Sequence, residues 1–116
     1  MLARIVEDRR GGVLVAGIDG EVDASNAAEL GERLHVLLGN ASTALVLDLS
    51  PTSYLDSAGI SLVFGLAEEL DARQQRLHVV VPPGAPMART LQITGLAGAV
   101  PVHRDLDAAL AAAAVA

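Results

Sequence analysis

The sequence predicts an α/β fold: a single domain with a central mixed sheet of four to five strands, about four helices and an antiparallel hairpin at the N-terminus. Three observations carry this. The chain is 116 residues long and 52% apolar, enough for one core that buries roughly two thirds of the unfolded surface. Short apolar runs of strand length alternate with segments of helical period. The first two runs are separated only by a Gly-containing turn, which makes them antiparallel neighbours.

Residues 1–7 and 13–18 read as two strands, with Arg9–Arg10–Gly11–Gly12 as the turn and Gly20 as the end of the second. Ser25 or Asn26 then opens a helix, with Glu29 placed to complete a capping box with Asn26. Leu30, Leu34, Leu37 and Leu38 follow at helical spacing, and Gly39–Asn40 stops the run. Residues 43–49 are apolar apart from Thr43 and Asp48, the pattern of a strand buried on both faces. A loop with Pro51 and Tyr54 leads to Asp56–Ser57, which starts a second helix carrying Ile60, Val63, Phe64, Ala67 and Leu70 on one stripe. Residues 77–81 form another buried strand, ended by Pro82–Pro83–Gly84. A short helix over 85–94 stops at Gly95. A last strand covers 100–103, and Asp105 caps a final Ala-rich helix.

Composition removes several classes of function. Eight basic against fourteen acidic residues give a net charge of −6, the wrong sign for holding phosphate backbones, so nucleic acid is not an expected partner. All eight basic residues are Arg, which excludes Schiff-base, phosphate-loop and general-base lysines. There is no Cys, hence no disulfide, thiolate metal site or cysteine nucleophile. Tyr54 and Phe64 are the only aromatic residues, too few for base stacking or an aromatic cage. Metal-ligand spacing is absent, and no cofactor is expected. No apolar stretch has the length of a signal peptide or membrane span, so a cytoplasmic location is expected, with no membrane partner. Asn40–Ala41–Ser42 matches a glycosylation sequon but lacks a secretory signal.

Chemistry concentrates in two segments. Asp56–Ser57–Ala58–Gly59 follows a buried strand and opens a helix. Ser and Asp there ordinarily cap, but a serine hydroxyl exposed at a helix start is also open to phosphorylation. Gly20–Glu21–Val22–Asp23 precedes the first helix as a polar turn. Asp48 ends a buried strand as a phospho-accepting aspartate would, yet such chemistry in response-regulator receivers goes with a lysine, and there is none. Ser57 with His35, His78 or His103 and an Asp forms a hydrolase triad on paper, without the Gly-x-Ser-x-Gly elbow.

In order along the chain, Gly20–Glu21–Val22–Asp23, the 45–49 strand, Tyr54–Leu55–Asp56–Ser57–Ala58–Gly59 and Thr94–Gly95–Leu96 resemble the STAS domain family. Within that family it looks most like the small stand-alone anti-sigma factor antagonists of bacteria. The resemblance covers nearly the whole chain, residues 1–116 as one STAS domain. It implies a non-enzymatic binding module that, unphosphorylated, binds an anti-sigma factor serine kinase and so frees a sigma factor. It further implies that phosphorylation of Ser57 releases the partner and that a serine phosphatase resets the switch. The implied partner-binding residues are Asp23, Tyr54, Leu55, Asp56, Ser57, Ala58 and Gly59. Two alternatives stay open: a regulatory subunit of a transporter or signalling complex, and a small serine hydrolase.

Overall fold

The structure is a computed structural model that describes residues 3–39 and 43–114. Strands β1 (Arg4–Arg10) and β2 (Val13–Val22) form the N-terminal hairpin, in register from Arg4 opposite Asp19 to Arg10 opposite Val13. The turn is Gly11–Gly12 alone; Arg9 and Arg10 belong to β1. Helix α1 (Ala27–Leu38) crosses to β3 (Ala44–Asp48), which lies parallel to β2. A short strand β4 (Thr52–Leu55) also runs parallel to β2, further along it. Helix α2 (Ser57–Ala72) returns the chain to β5 (Arg76–Val80), parallel to β3. Helices α3 (Ala88–Thr94) and α4 (Leu96–Ala99) precede β6 (Val102–His103), and α5 (Leu106–Ala113) follows it. The main path of the sheet is β1-β2-β3-β5-β6, with β4 paired to β2.

The alternation of strand side chains explains the layers. Leu14, Ala16 and Ile18 of β2, Leu45 and Leu47 of β3, and Leu77 and Val79 of β5 join the buried faces of α1, α2, α3 and α4 in one core. Val13 and Val15, Ala44 and Val46, and Val80 form a second, smaller core with Ala109 of α5. A sheet covered on both faces needs apolar side chains on both, which is why β3 reads as an apolar run up to its last residue, Asp48. On α1 the predicted stripe is buried at Leu30, Leu34 and Leu38.

Several local expectations are corrected. Gly20 does not end β2. It sits at φ 124°, a value open to glycine, and the register shifts between Gly20 and Glu21, so the strand bulges and continues to Val22. Residues 52–55, expected as loop, form β4 because β2 extends far enough to pair with them. The Asn26–Glu29 capping box does not form: no side chain caps α1, and Asn26 is occupied elsewhere. The 85–94 helix starts only at Ala88, because residues 82–87 turn first, with Ala85 N donating to Pro82 O and Ala88 N to Ala85 O at 3.0 Å each. The last strand is shortened to two residues by Pro101, which has no N–H to give. Asp105 does cap α5, accepting from Ala108 N at 2.8 Å. With β4 and α4 added, the described residues hold six strands and five helices. Residues 1–2, the Asn40 stop, the sequon and the last two residues lie outside the described residues.

One polar pair is built into the sheet. His78 of β5, only 3% exposed, meets His103 of β6, with Nδ1 and Nε2 3.0 Å apart. The other nitrogen of His78 is buried with no partner among the described residues. A bare lone pair is less costly to bury than an orphaned N–H, so we assign the proton to Nδ1, with His103 Nε2 accepting. Burial, then the neighbouring His103, then Arg76 hold the His78 pKa below its ordinary 6.5. The neutral ring therefore favours the fold above about pH 6.5, and this contribution is lost as pH falls toward the depressed native value. We expect the urea midpoint to drop from pH 7 to pH 5.5 and to drop less in His78→Leu. Parallel curves for the two proteins would show that His78 has no part in acid sensitivity.

Candidate functional site

Three backbone pairings assemble the site. Beyond the bulge, Glu21 lies opposite Tyr54 and Val22 opposite Leu55. Asp56 N then donates to Val22 O at 3.2 Å. The residues that follow Val22 and Leu55, Asp23 and Asp56, therefore leave the sheet side by side at one end. Thr52 fastens this corner from below. Its side chain is buried and its hydroxyl donates to Ile18 O at 2.7 Å.

Asp56 is the N-cap of α2. Its backbone is extended, and Oδ1 accepts from Ala58 N at 2.9 Å and Gly59 N at 3.2 Å. This satisfies two of the amides that a helix start leaves without partners. Ser57 is thus the first helical residue and not the cap. It is exposed, and its hydroxyl makes no hydrogen bond to the described residues. Gly59 is buried beneath it. A Cβ there would meet the Leu55 side chain, with Cγ at 2.8 Å, and lie 3.1 Å from Val22 Cγ1. Only glycine lets α2 approach the sheet this closely, so Gly59 and buried Leu55 support the surface from underneath. Ala58 is half-buried, and Tyr54 is 49% exposed on β4.

The Asp23 turn is more built than the sequence suggests. Asp23 Oδ1 accepts from Ser25 N at 2.8 Å and from the Ser25 hydroxyl. The Ser25 hydroxyl first, and its N–H second, hold the Asp23 carboxyl below the usual carboxylate range, so it stays ionised. Asn26, 5% exposed, is the latch: Oδ1 accepts from Asp23 N at 3.0 Å and Nδ2 donates to Glu21 O at 2.8 Å. The sequence reading missed this role, although a polar residue at a position buried by the helix stripe was the available signal. Asp48, the other carboxylate considered, is tied into the turn toward β4 by Ser50 N at 2.9 Å and the Ser50 hydroxyl at 2.6 Å.

The structure thus brings together Asp23, Tyr54, Asp56 and Ser57 at one end of the sheet. It does not bring a histidine to them. His35 on α1 pairs with Glu69 of α2, and His78 pairs with His103. Among the described residues no group of three or more His, Asp or Glu is placed to hold a metal, and no helix is long and apolar enough to cross a membrane. Chemically, the site offers an exposed hydroxyl on a fixed helix start, next in the chain to the Asp56 cap, with the Asp23 turn leaving the neighbouring strand.

The division of labour between Asp56 and Ser57 gives a direct expectation. Asp56→Ala should lower unfolding free energy by about 1 kcal/mol, the ordinary value of a lost N-cap. Ser57→Ala should change it by no more than a few tenths. Urea titration of both variants checks this, and a loss in Ser57→Ala with none in Asp56→Ala would assign the cap to Ser57 instead.

Comparison with known proteins addresses the fold and the family. The chain is 34% identical over 85 residues to the anti-sigma-F factor antagonist RsfB of Mycobacterium tuberculosis, covering 73% of this chain and 68% of that protein. It superposes on the crystal structure of an anti-sigma factor antagonist from Mycobacterium paratuberculosis with a TM-score of 0.86 and 28% identity, over 97% of this chain and 94% of that one. It shares its fold with the anti-sigma factor antagonist SpoIIAA in the unphosphorylated form, at a TM-score of 0.69 and 20% identity, over 96% of each chain. The phosphorylated form of Bacillus SpoIIAA gives the same TM-score at 21% identity, over 94% of this chain and 98% of that one. Residues 4–109 match the STAS domain, and the chain belongs to that family.

Proposed function

We propose that this chain is an anti-sigma factor antagonist switched by phosphorylation of Ser57. The observation that carries the proposal is that Asp56 caps α2 while the Ser57 hydroxyl stands exposed without a structural task. Unphosphorylated, the protein binds a serine-kinase anti-sigma factor over Ser57, Tyr54 and the Asp23 turn, and a sigma factor is set free. The kinase then transfers phosphate from ATP to Ser57, and a serine phosphatase later removes it. The protein itself is not an enzyme in this cycle and acts in the cytoplasm. The hydrolase alternative loses its base, since all three histidines are placed elsewhere.

The physics of the switch follows from the cap. A phosphate adds roughly −1.5 to −2 charges at pH 7. Helix starts usually compensate such a charge by up to about 1 kcal/mol. Here the Asp56 carboxylate already occupies the Ala58 and Gly59 amides, so that compensation is reduced. In the free protein, water screens the repulsion. Under a docked partner water is excluded, and three negative groups at short range oppose one another.

The test titrates a kinase-type anti-sigma factor of the source organism with unmodified and enzymatically phosphorylated protein, with phosphate mapped by mass spectrometry. We expect phosphate on Ser57, a loss of affinity of about a hundredfold or more, equivalent to ~2.8 kcal/mol, and little change in melting temperature. Ser57→Ala should bind and resist inactivation. Equal affinities of the two forms would remove the switch and favour a regulatory subunit that works unphosphorylated. A separate variant addresses Asp23: Asp23→Asn should keep the Ser25 contacts largely intact yet slow phosphorylation or weaken binding. A lowered melting point with unchanged binding and phosphorylation would reduce Asp23 to a turn residue.

A further inference from the structure

Three glycines lie inside the two long helices, and two have an internal reason. A Cβ on Gly59 would strike Leu55, and a Cβ on Gly31 would sit 2.9 Å from Leu62 Cδ1. Gly65 is different. A Cβ there meets nothing within 4 Å, and the residue is exposed in the middle of α2. Glycine at an exposed helix interior is unfavourable relative to alanine, and no contact within the described residues requires it.

Gly65 lines a groove of about 620 Å³ between α1 and α2, together with Gly31, Val36, Leu62 and Leu66. Val36 is 77% exposed, the highest value among the exposed large apolar residues. The charged rim is acidic in balance. Glu69 is engaged by His35 and, at 3.5 Å, by Arg73, whereas Glu32 has no ion pair or hydrogen bond among the described residues. Ser57, Ser61 and Gly65 follow one another four residues apart and are all exposed, so they share one side of α2. Gly65 lies about 12 Å along the helix from Ser57.

We propose that the partner bound at Ser57 extends its contact along α2 and inserts an apolar side chain into the α1–α2 groove against Gly65, with an Arg or Lys beside it facing Glu32. The inference rests on the functional reading above. An apolar anchor fits the lining and removes Val36 from water, and central apolar anchors carry most of the affinity in protein interfaces. The basic neighbour follows from the unpaired Glu32 and the net charge of −6. A second copy of this chain is a poorer occupant, because a two-fold contact through the groove would set acidic rim against acidic rim.

The experiment titrates the same purified kinase-type anti-sigma factor against wild type, Gly65→Leu, Glu32→Arg and Val36→Asp. Gly65→Leu fills the groove and improves helix propensity, so it should melt no lower than wild type yet bind at least tenfold more weakly. Glu32→Arg should slow association and flatten its dependence on salt. Val36→Asp, at an exposed position, keeps the test intact should leucine disturb the helix packing, and should also weaken binding several-fold. Wild-type affinity in all three variants would overturn the groove while leaving the Ser57 switch standing. Concentration-dependent dimers of this chain, abolished by Gly65→Leu with anti-sigma affinity unchanged, would overturn it in favour of a second copy. Failure of wild type itself to bind any such anti-sigma factor would overturn the functional reading, and the groove's role with it.

Discussion

The pairing of Val22 with Leu55 is the contact from which the candidate site hangs. Two parallel strands placed in register deliver their next residues to the same level, and here those are Asp23 and Asp56. Asp56 fixes the start of α2, and the start of α2 fixes Ser57. Shifting this register by one residue would turn Leu55 out of the core and move Asp56 off Val22 O, removing the cap and displacing Ser57. The buried Thr52 hydroxyl on Ile18 O ties β4 to β2 and holds that register, while the Asn26 side chain, bridging Glu21 and Asp23, fixes the turn by which the chain leaves β2.

The same corner shows how small residues serve different ends within one helix. Gly59 is needed because the backbone of α2 must come down on Leu55 and Val22. That close approach also aims the helix, since a larger residue would lift the first turn and tilt Ser57 away from Asp23. Gly31 of α1 faces the end of the Leu62 side chain of α2, and both residues line the groove between α1 and α2. The packing that positions the hydroxyl and the packing that opens the groove are therefore parts of one arrangement of α1, α2 and sheet.

Much of this was readable in the sequence where the signal is periodic. The two-faced apolar run read over 43–49, a strand at Ala44–Asp48, the stripe through Leu30, Leu34 and Leu38, and the Asp105 cap follow from local rules and stand in the structure. The Asp-Ser-Ala-Gly motif located the helix start within one residue. Most of the misses depend on partners distant in sequence; Asn26 and the late start of α3 are local exceptions. Residues 52–55 become a strand only because β2 passes its glycine bulge, and nothing local to Thr52–Leu55 announces that. Asn26 resembles a cap in sequence, but the nearby Glu21 carbonyl and Asp23 amide claim its side chain. The His78–His103 contact and the open space over Gly65 likewise exist only once the elements pack.

The bulged extension of β2 has a consequence for what a binding protein is able to recognise. Asp23 and Ser57 are separated by more than thirty residues of chain, and only the Gly20–Val22 pairing with β4 brings them together. A surface of this kind is a conformational epitope. It is absent from a nascent chain until the residues through α2 have been made and folded, and absent from any proteolytic fragment that lacks either strand. A partner that reads both residues at once would therefore bind only the intact, folded molecule.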